Sequence, residues 1–216
     1  MHSAKLFKVL GFAVLLAPTD MHAQFLPVVA KRRLTKEHLV DGKVVDRVTK
    51  EGNYYRSSDG SILEQWTRVN GDEKLGELAA GSLWDNKNVV SYQLDFKNRI
   101  AYLHAPPQGT KPVRPDVSGA RAAGALGEEF LEGISCRVFP VRIAPRDRPA
   151  FYAGQVCRSV KYDLELKQEL SYPNSAGKIV HTVFQLYDIQ LGREPDPKLF
   201  DVRGSFTVYA PESPRP

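Results

Sequence analysis

The sequence predicts a mainly β chain organised as an antiparallel sheet, with one or two short helices. Three observations carry this. Runs rich in β-branched and aromatic residues are separated by turns at Asp41-Gly42, Glu51-Gly52-Asn53, Ser58-Asp59-Gly60 and Asn70-Gly71. Residues 162–172 alternate in period two: Tyr162, Leu164, Leu166, Leu170 and Tyr172 share one face and Asp163, Glu165, Lys167, Glu169 and Ser171 the other. A turn at Asn174-Ser175-Ala176-Gly177 then joins this strand to a long partner, 178–189.

Length and composition set the frame. A chain of 216 residues with 42% hydrophobic and 25% charged residues fits one globular domain. The net charge of +5 is mild. The clusters Lys31-Arg32-Arg33 and Arg142, Arg146, Arg148 form no basic stripe with a recognisable module, so they read as solvated strand faces and no nucleic-acid partner is expected. At the N-terminus, Lys5 and Lys8 precede an apolar stretch at 9–17, then Pro18 and a small residue at Ala23. This order is that of a secretory signal peptide, 1–23, leaving a single β domain over 24–216 in the periplasm or outside the cell. No apolar run reaches the roughly 20 residues that would span a bilayer. In an exported chain, the two cysteines, Cys136 and Cys157, are expected to form a structural disulfide.

In chain order, 32–40 and 43–50 pair across Asp41-Gly42, a short strand covers 54–56, and another covers 62–69. Successive strands joined by tight turns pair with their neighbours, giving an antiparallel meander. Residues 73–83 carry helical spacing weakened by Gly76 and Gly81, and read as a loop or short helix. Val90, Tyr92, Leu94 and Phe96 alternate with polar residues, a strand buried on one side. Lys97-Asn98 turns it and 99–104 returns. A proline-rich loop spans about 106–118, followed by small residues to Leu126. Strands at 134–143 and 151–162 then flank an irregular proline-containing connection at 144–149. In the closing segment, Pro197 sets φ for a first helical turn, Asp196 caps it, and Leu199 and Phe200 return to the core.

Catalytic patterns are lacking. The sequence holds no GxSxG or SxxK, and Gly133-Ile134-Ser135-Cys136 lacks a second glycine. His38, His104 and His181 stand alone in sequence, so no metal site is expected. Glu128, Glu129 and Glu132 read as a solvated face, and no glycine-rich loop cradles a phosphate. Trp66, Trp84 and the tyrosines read as core or cross-strand pairs. No enzyme activity and no cofactor are expected.

Several phrases together resemble a family of secreted, acidobacterial-type proteins of unknown function. They are Tyr55-Arg56-Ser57-Ser58-Asp59-Gly60, Trp84-Asp85 with Tyr92-Gln93-Leu94-Asp95, Leu126-Gly127 with Leu131-Glu132-Gly133, and the run Glu194-Pro195-Asp196-Pro197-Lys198-Leu199-Phe200 with Val202. The last, an EPDPxLFxV motif, is the most specific. This chain departs from the pattern at Ser61-Ile62-Leu63, where arginines are usual, and at Arg203, where proline is usual. The C-terminal half is also similar to the outer-membrane lipoprotein carrier (LolA-like) fold. That resemblance implies a curved, half-open antiparallel barrel that cups a lipid or acyl chain.

The run 178–189 offers a place for such a ligand. Val180, Thr182, Phe184 and Leu186 form one face; Ile179, His181, Val183, Gln185 and Tyr187 form a second face that also carries apolar groups. The expected function is an exported protein holding an apolar or lipid ligand in the concavity of a curved sheet, with His181, Val183 and Tyr187 as the ligand-facing residues. The alternative is an envelope protein-interaction or structural module with no cavity.

Overall fold

Two meanders run outward from one shared central pair of strands. The computed structural model describes residues 24–67, 78–104, 106, 109–113, 124–143, 152–174 and 176–210. The first meander comprises β1 (Val28–Val40), β2 (Lys43–Arg56), β3 (Ile62–Thr67), β4 (Leu78–Asp85), β5 (Val90–Asp95) and β6 (Ile100–His104). The second comprises β7 (Gly127–Leu131), β8 (Ile134–Ile143), β9 (Tyr152–Ser159), β10 (Leu164–Pro173) and β11 (Ile179–Leu191). Antiparallel pairing of β1 with β11 joins them, and β12 (Thr207–Tyr209) adds to β6. The result is one open, curved 12-stranded sheet in the order β12-β6-β5-β4-β3-β2-β1-β11-β10-β9-β8-β7. Every pairing is antiparallel except β12 with β6. The expected leader at 1–23, the expected turn at Asn70-Gly71, the segment 114–123 and the expected connection at 144–149 lie outside the described residues.

Two expectations are corrected. Glu51-Gly52-Asn53 is no turn; β2 runs through it unbroken from Lys43 to Arg56. A Cβ at Gly52 would sit 1.8 Å from the carbonyl oxygen of Gln65, so glycine is needed for close approach to β3 rather than for reversal. The second is at 78–83, which is strand β4 and not a helix. Its small residues answer to packing: a Cβ at Gly81 would meet the Glu64 carbonyl oxygen at 2.5 Å and the Phe96 ring at 2.8 Å.

Apolar cores form on both faces of the sheet. On one face, Val28, Ala30, Tyr54, Leu164, Leu166 and Leu186 gather with Cys136 and Cys157. The cysteines form the expected disulfide, closing a sequence separation of 21. Loop-closure entropy gives such a bridge about 3 kcal/mol. On the other face, Leu63, Leu83, Tyr92, Leu94 and Ala101 are covered by the C-terminal segment. There a 3-10 turn, Pro197–Phe200, leads into α1 (Val202–Ser205), and Leu199, Phe200, Val202 and Phe206 supply the cover. Asp196 caps the turn by accepting from the Lys198 N–H at 3.0 Å, as its place before Pro197 predicts.

Candidate functional site

Along β1 the inward face changes from filled to open. Val28 and Ala30 are fully packed, whereas Arg32 and Leu34 line a cavity of about 540 Å³. Register explains its walls. Arg32 pairs with Gly52, and Gly52 with Trp66, so three strands place these residues in one row. Because Gly52 has no side chain, the Arg32 guanidinium lies across it, 3.8 Å from the centre of the Trp66 ring. In the next row toward the β1–β2 hairpin, Leu34 faces Phe184. Phe25, Ile62, Trp84, Leu166 and Leu186 complete the apolar lining. A second hollow of about 420 Å³ shares Leu34 and Phe184 and continues past Val48, Leu170 and Tyr172 toward that hairpin, with Lys36 and Lys50 on its walls.

Asn86 fixes the rim. Its side-chain oxygen accepts from the Trp84 indole N–H at 3.1 Å and from the Val113 N–H at 2.7 Å. Its amide nitrogen donates to the carbonyls of Asp59 and Val113. One buried side chain thus orients Trp84, ties down the 57–61 turn and holds Val113 at the cavity edge. Gly60 has φ +88, and a Cβ there would strike the Phe25 ring at 2.4 Å.

Charged groups share this apolar space. Arg56 is buried and all three of its nitrogens are bonded: Nε and Nη2 donate to the Leu26 carbonyl, Nη2 to Tyr162 O at 2.8 Å, and Nη1 to Asp163 O at 2.6 Å. Burial lowers its pKa. Arg158 lies 3.3 Å from Asp163, and its Nε is buried without a hydrogen-bond partner. Glu165 faces the cavity in contact with water, and partial desolvation raises its pKa against the pull of Arg158. Tyr54, buried, is pushed up to about 12 by desolvation and stays neutral. Arg32 meets one carboxylate, Glu64, at 2.5 Å, but the contact is not aligned for a hydrogen bond; its Nε and Nη1 are buried without a hydrogen-bond partner.

The expected ligand-facing residues lie on the other side of β11. His181 sits 3.5 Å from Glu37, Tyr187 lies under the Arg33 guanidinium at 5.0 Å, and Val183 pairs with Thr35. This outer face is a ladder of cross-strand ion pairs, including Arg33–Glu51 and Arg47–Glu37. The Arg47 hydrogen bond, with a smaller one from His181, holds the Glu37 carboxyl below its usual range despite some desolvation. On β11, Phe184, Gln185 and Leu186 line the cavity, whereas His181, Val183 and Tyr187 do not. A bulge at Asp188 (φ +50) then rotates the strand, so Ile189 and Leu191 pack against the inner core. Reasoning from sequence also missed Arg32, Gly52, Glu64, Trp66 and Trp84. Their signal was parity: Arg32 falls in step with Val28, Ala30 and Leu34. Among the described residues no His/Cys/Asp/Glu cluster could hold a metal, and no helix is long and apolar enough to cross a membrane.

No family model matches the chain, and no curated protein matches it. Among solved structures, a domain from Vibrio parahaemolyticus described as an outer membrane lipoprotein-sorting protein is similar at 8% identity and TM-score 0.29, over 82% of this chain and 90% of that one. A LolA superfamily protein from Nitrosomonas europaea is similar at 12% identity and TM-score 0.28, over 83% and 90%. A DUF1329 family protein from Desulfovibrio piger is similar at 11% identity and TM-score 0.21, over 86% and 92%.

Proposed function

We propose that this chain is an exported binding protein that holds an apolar or lipid ligand in the concavity of its curved sheet. One observation carries the reading: a cavity of about 540 Å³, walled by Trp66, Trp84, Phe184, Leu34 and Ile62, that the chain's own side chains leave unfilled. Its size falls in the range of small-molecule sites, roughly 300–1,000 Å³. Export rests on the 1–23 leader together with the disulfide, which persists in oxidising compartments.

The mechanism is sequestration by burial. Each methylene removed from water contributes about 0.8 kcal/mol. A dozen or so then offset an association cost that begins near 4 kcal/mol. The second hollow beyond Leu34 and Phe184 lengthens the apolar path along β1 and β11, which suits an extended chain better than a compact ring. The ligand-facing residues in this reading are Leu34, Trp66, Trp84 and Phe184.

Native mass spectrometry of protein purified from the periplasm, with organic extraction of the same sample, tests this. The expected result is a co-purifying lipid or, after delipidation, stoichiometric uptake of a fluorescent fatty acid. A clean apo protein that takes up no fatty acid overturns the proposal.

A further inference from the structure

We propose that the ligand is an anionic amphiphile whose carboxylate or phosphate head is received by Arg32; this rests on the lipid-binding reading above and narrows it. The side chain of Arg32 is 8% exposed, and it lines the cavity. Its Nε and Nη1 have no hydrogen-bond acceptor. Buried polar groups are almost always hydrogen-bonded, and one left unpaired is costly. Two features offset that cost in part. The Trp66 face lies 3.8 Å from the guanidinium and attracts it through the ring quadrupole. Glu64 neutralises the charge, yet it makes no aligned bond to Arg32, is itself 32% exposed, and accepts from Ser82 Oγ. The guanidinium is therefore charge-paired but short of acceptors.

A carboxylate or phosphate supplies that missing chemistry. Arginine presents a planar fork of donors that matches either group, and charge-assisted hydrogen bonds of this kind are strong. Leu34 and Phe184, one strand row further along, would take the first methylenes of the tail. The other cavity cations are less suited. Arg56 spends its donors on backbone carbonyls. Arg158 Nε is also buried without a hydrogen-bond partner, but its side chain is 31% exposed and lies 3.3 Å from Asp163, so it is less desolvated than Arg32. Lys36 and Lys50 belong to the second hollow, so a head group seated there would reverse the direction of the ligand.

The test compares three probes of equal chain length on the delipidated full protein by isothermal titration: palmitate, hexadecyl phosphate and hexadecanol. The readout is the affinity ratio of each anion to the alcohol. The expected ratio for at least one anion is about tenfold to a hundredfold, the scale of a hydrogen bond to a charged group. Arg32→Met is expected to bring it close to one. Glu64→Gln, which removes the competing carboxylate, is expected to raise it and keeps the test decisive should Arg32→Met fail to fold. Comparing the two anions separates a carboxylate head from a phosphate head. A wild-type ratio near one overturns this inference and leaves the lipid-binding reading standing. A ratio that survives Arg32→Met overturns it too, whether it is then lost in Lys36→Met/Lys50→Met or in Arg158→Met. If none of the three probes binds, both readings fall.

Discussion

Arg56 and Arg32 lie on the same face of the sheet, on adjacent strands, and are almost equally buried at 3% and 6% exposure. Their surroundings are opposite. Arg56 donates to the carbonyls of Leu26, Tyr162 and Asp163, joining the entry to β1, the end of β2 and the β9–β10 turn. Arg32 finds an aromatic ring and one misaligned carboxylate. A buried arginine with its donors satisfied ties chain segments together. One with donors to spare, lining a cavity, has capacity for something the chain does not supply. Burial alone would have classed the two as equivalent; counting acceptors separates them.

The sharpest way to break this comparison is Arg56→Met. It leaves three inward carbonyls without donors and is expected to cost about 3–5 kcal/mol of stability in urea denaturation, the scale for removing one partner from a buried polar network. A loss below about 1 kcal/mol would show that Arg56 is no knot. The disulfide lies in the same packed region. Replacing Cys136 and Cys157 together by alanine is expected to cost about 3 kcal/mol while leaving the anion-to-alcohol ratio at its wild-type value. Thiol counting on the oxidised, denatured protein is expected to find no free cysteine.

Arg32→Met should behave in the reverse manner. Swapping a poorly satisfied buried charge for an apolar side chain of similar length is expected to leave stability within about 1 kcal/mol of wild type or to raise it. A loss as large as that of Arg56→Met would place Arg32 among the structural residues and erase the contrast.

The smallest expected effect concerns acid. Desolvation pushes the Asp59 carboxyl up, but hydrogen bonds from Ser57 Oγ and from Ser61 together outweigh it and leave the pKa below 3.8. A depressed carboxylate pKa contributes stability above the unfolded value and loses it as pH falls through the folded value. Asp59→Asn should therefore flatten the stability curve below about pH 4, by less than about 1 kcal/mol because Asp59 is solvent-exposed. An unchanged acid limb would remove Asp59 from the account of the cavity rim.

Much of the architecture was legible in the sequence because its signals are local. The Asp41-Gly42 hairpin, the alternation of 162–172, which becomes strand from Leu164 on, and the Asp196-Pro197 cap each arise within a few residues. The site was harder to read because its determinants act across strands. Glu51-Gly52-Asn53 has turn composition, yet Gly52 is there to let β3 approach and Arg32 reach Trp66. Arg32 sits in a run of three basic residues that reads as solvated, and only its parity with Ala30 and Leu34 marks it as inward. On β11 both faces carry apolar groups, so sequence could not say which lines the cavity. Cross-strand ion pairs on β1 and β2, invisible until register is known, put the His181 side outward.

The proposed function requires that the concavity, and no other surface, takes the ligand. The chain has two tryptophans, and both line the cavity. A stearic acid brominated at mid-chain quenches indole emission only at close range. Titrating the delipidated protein with it, beside unbrominated stearate, is expected to give saturable loss of most of the tryptophan fluorescence with the brominated chain alone. Binding detected by calorimetry without that quenching would contradict the account.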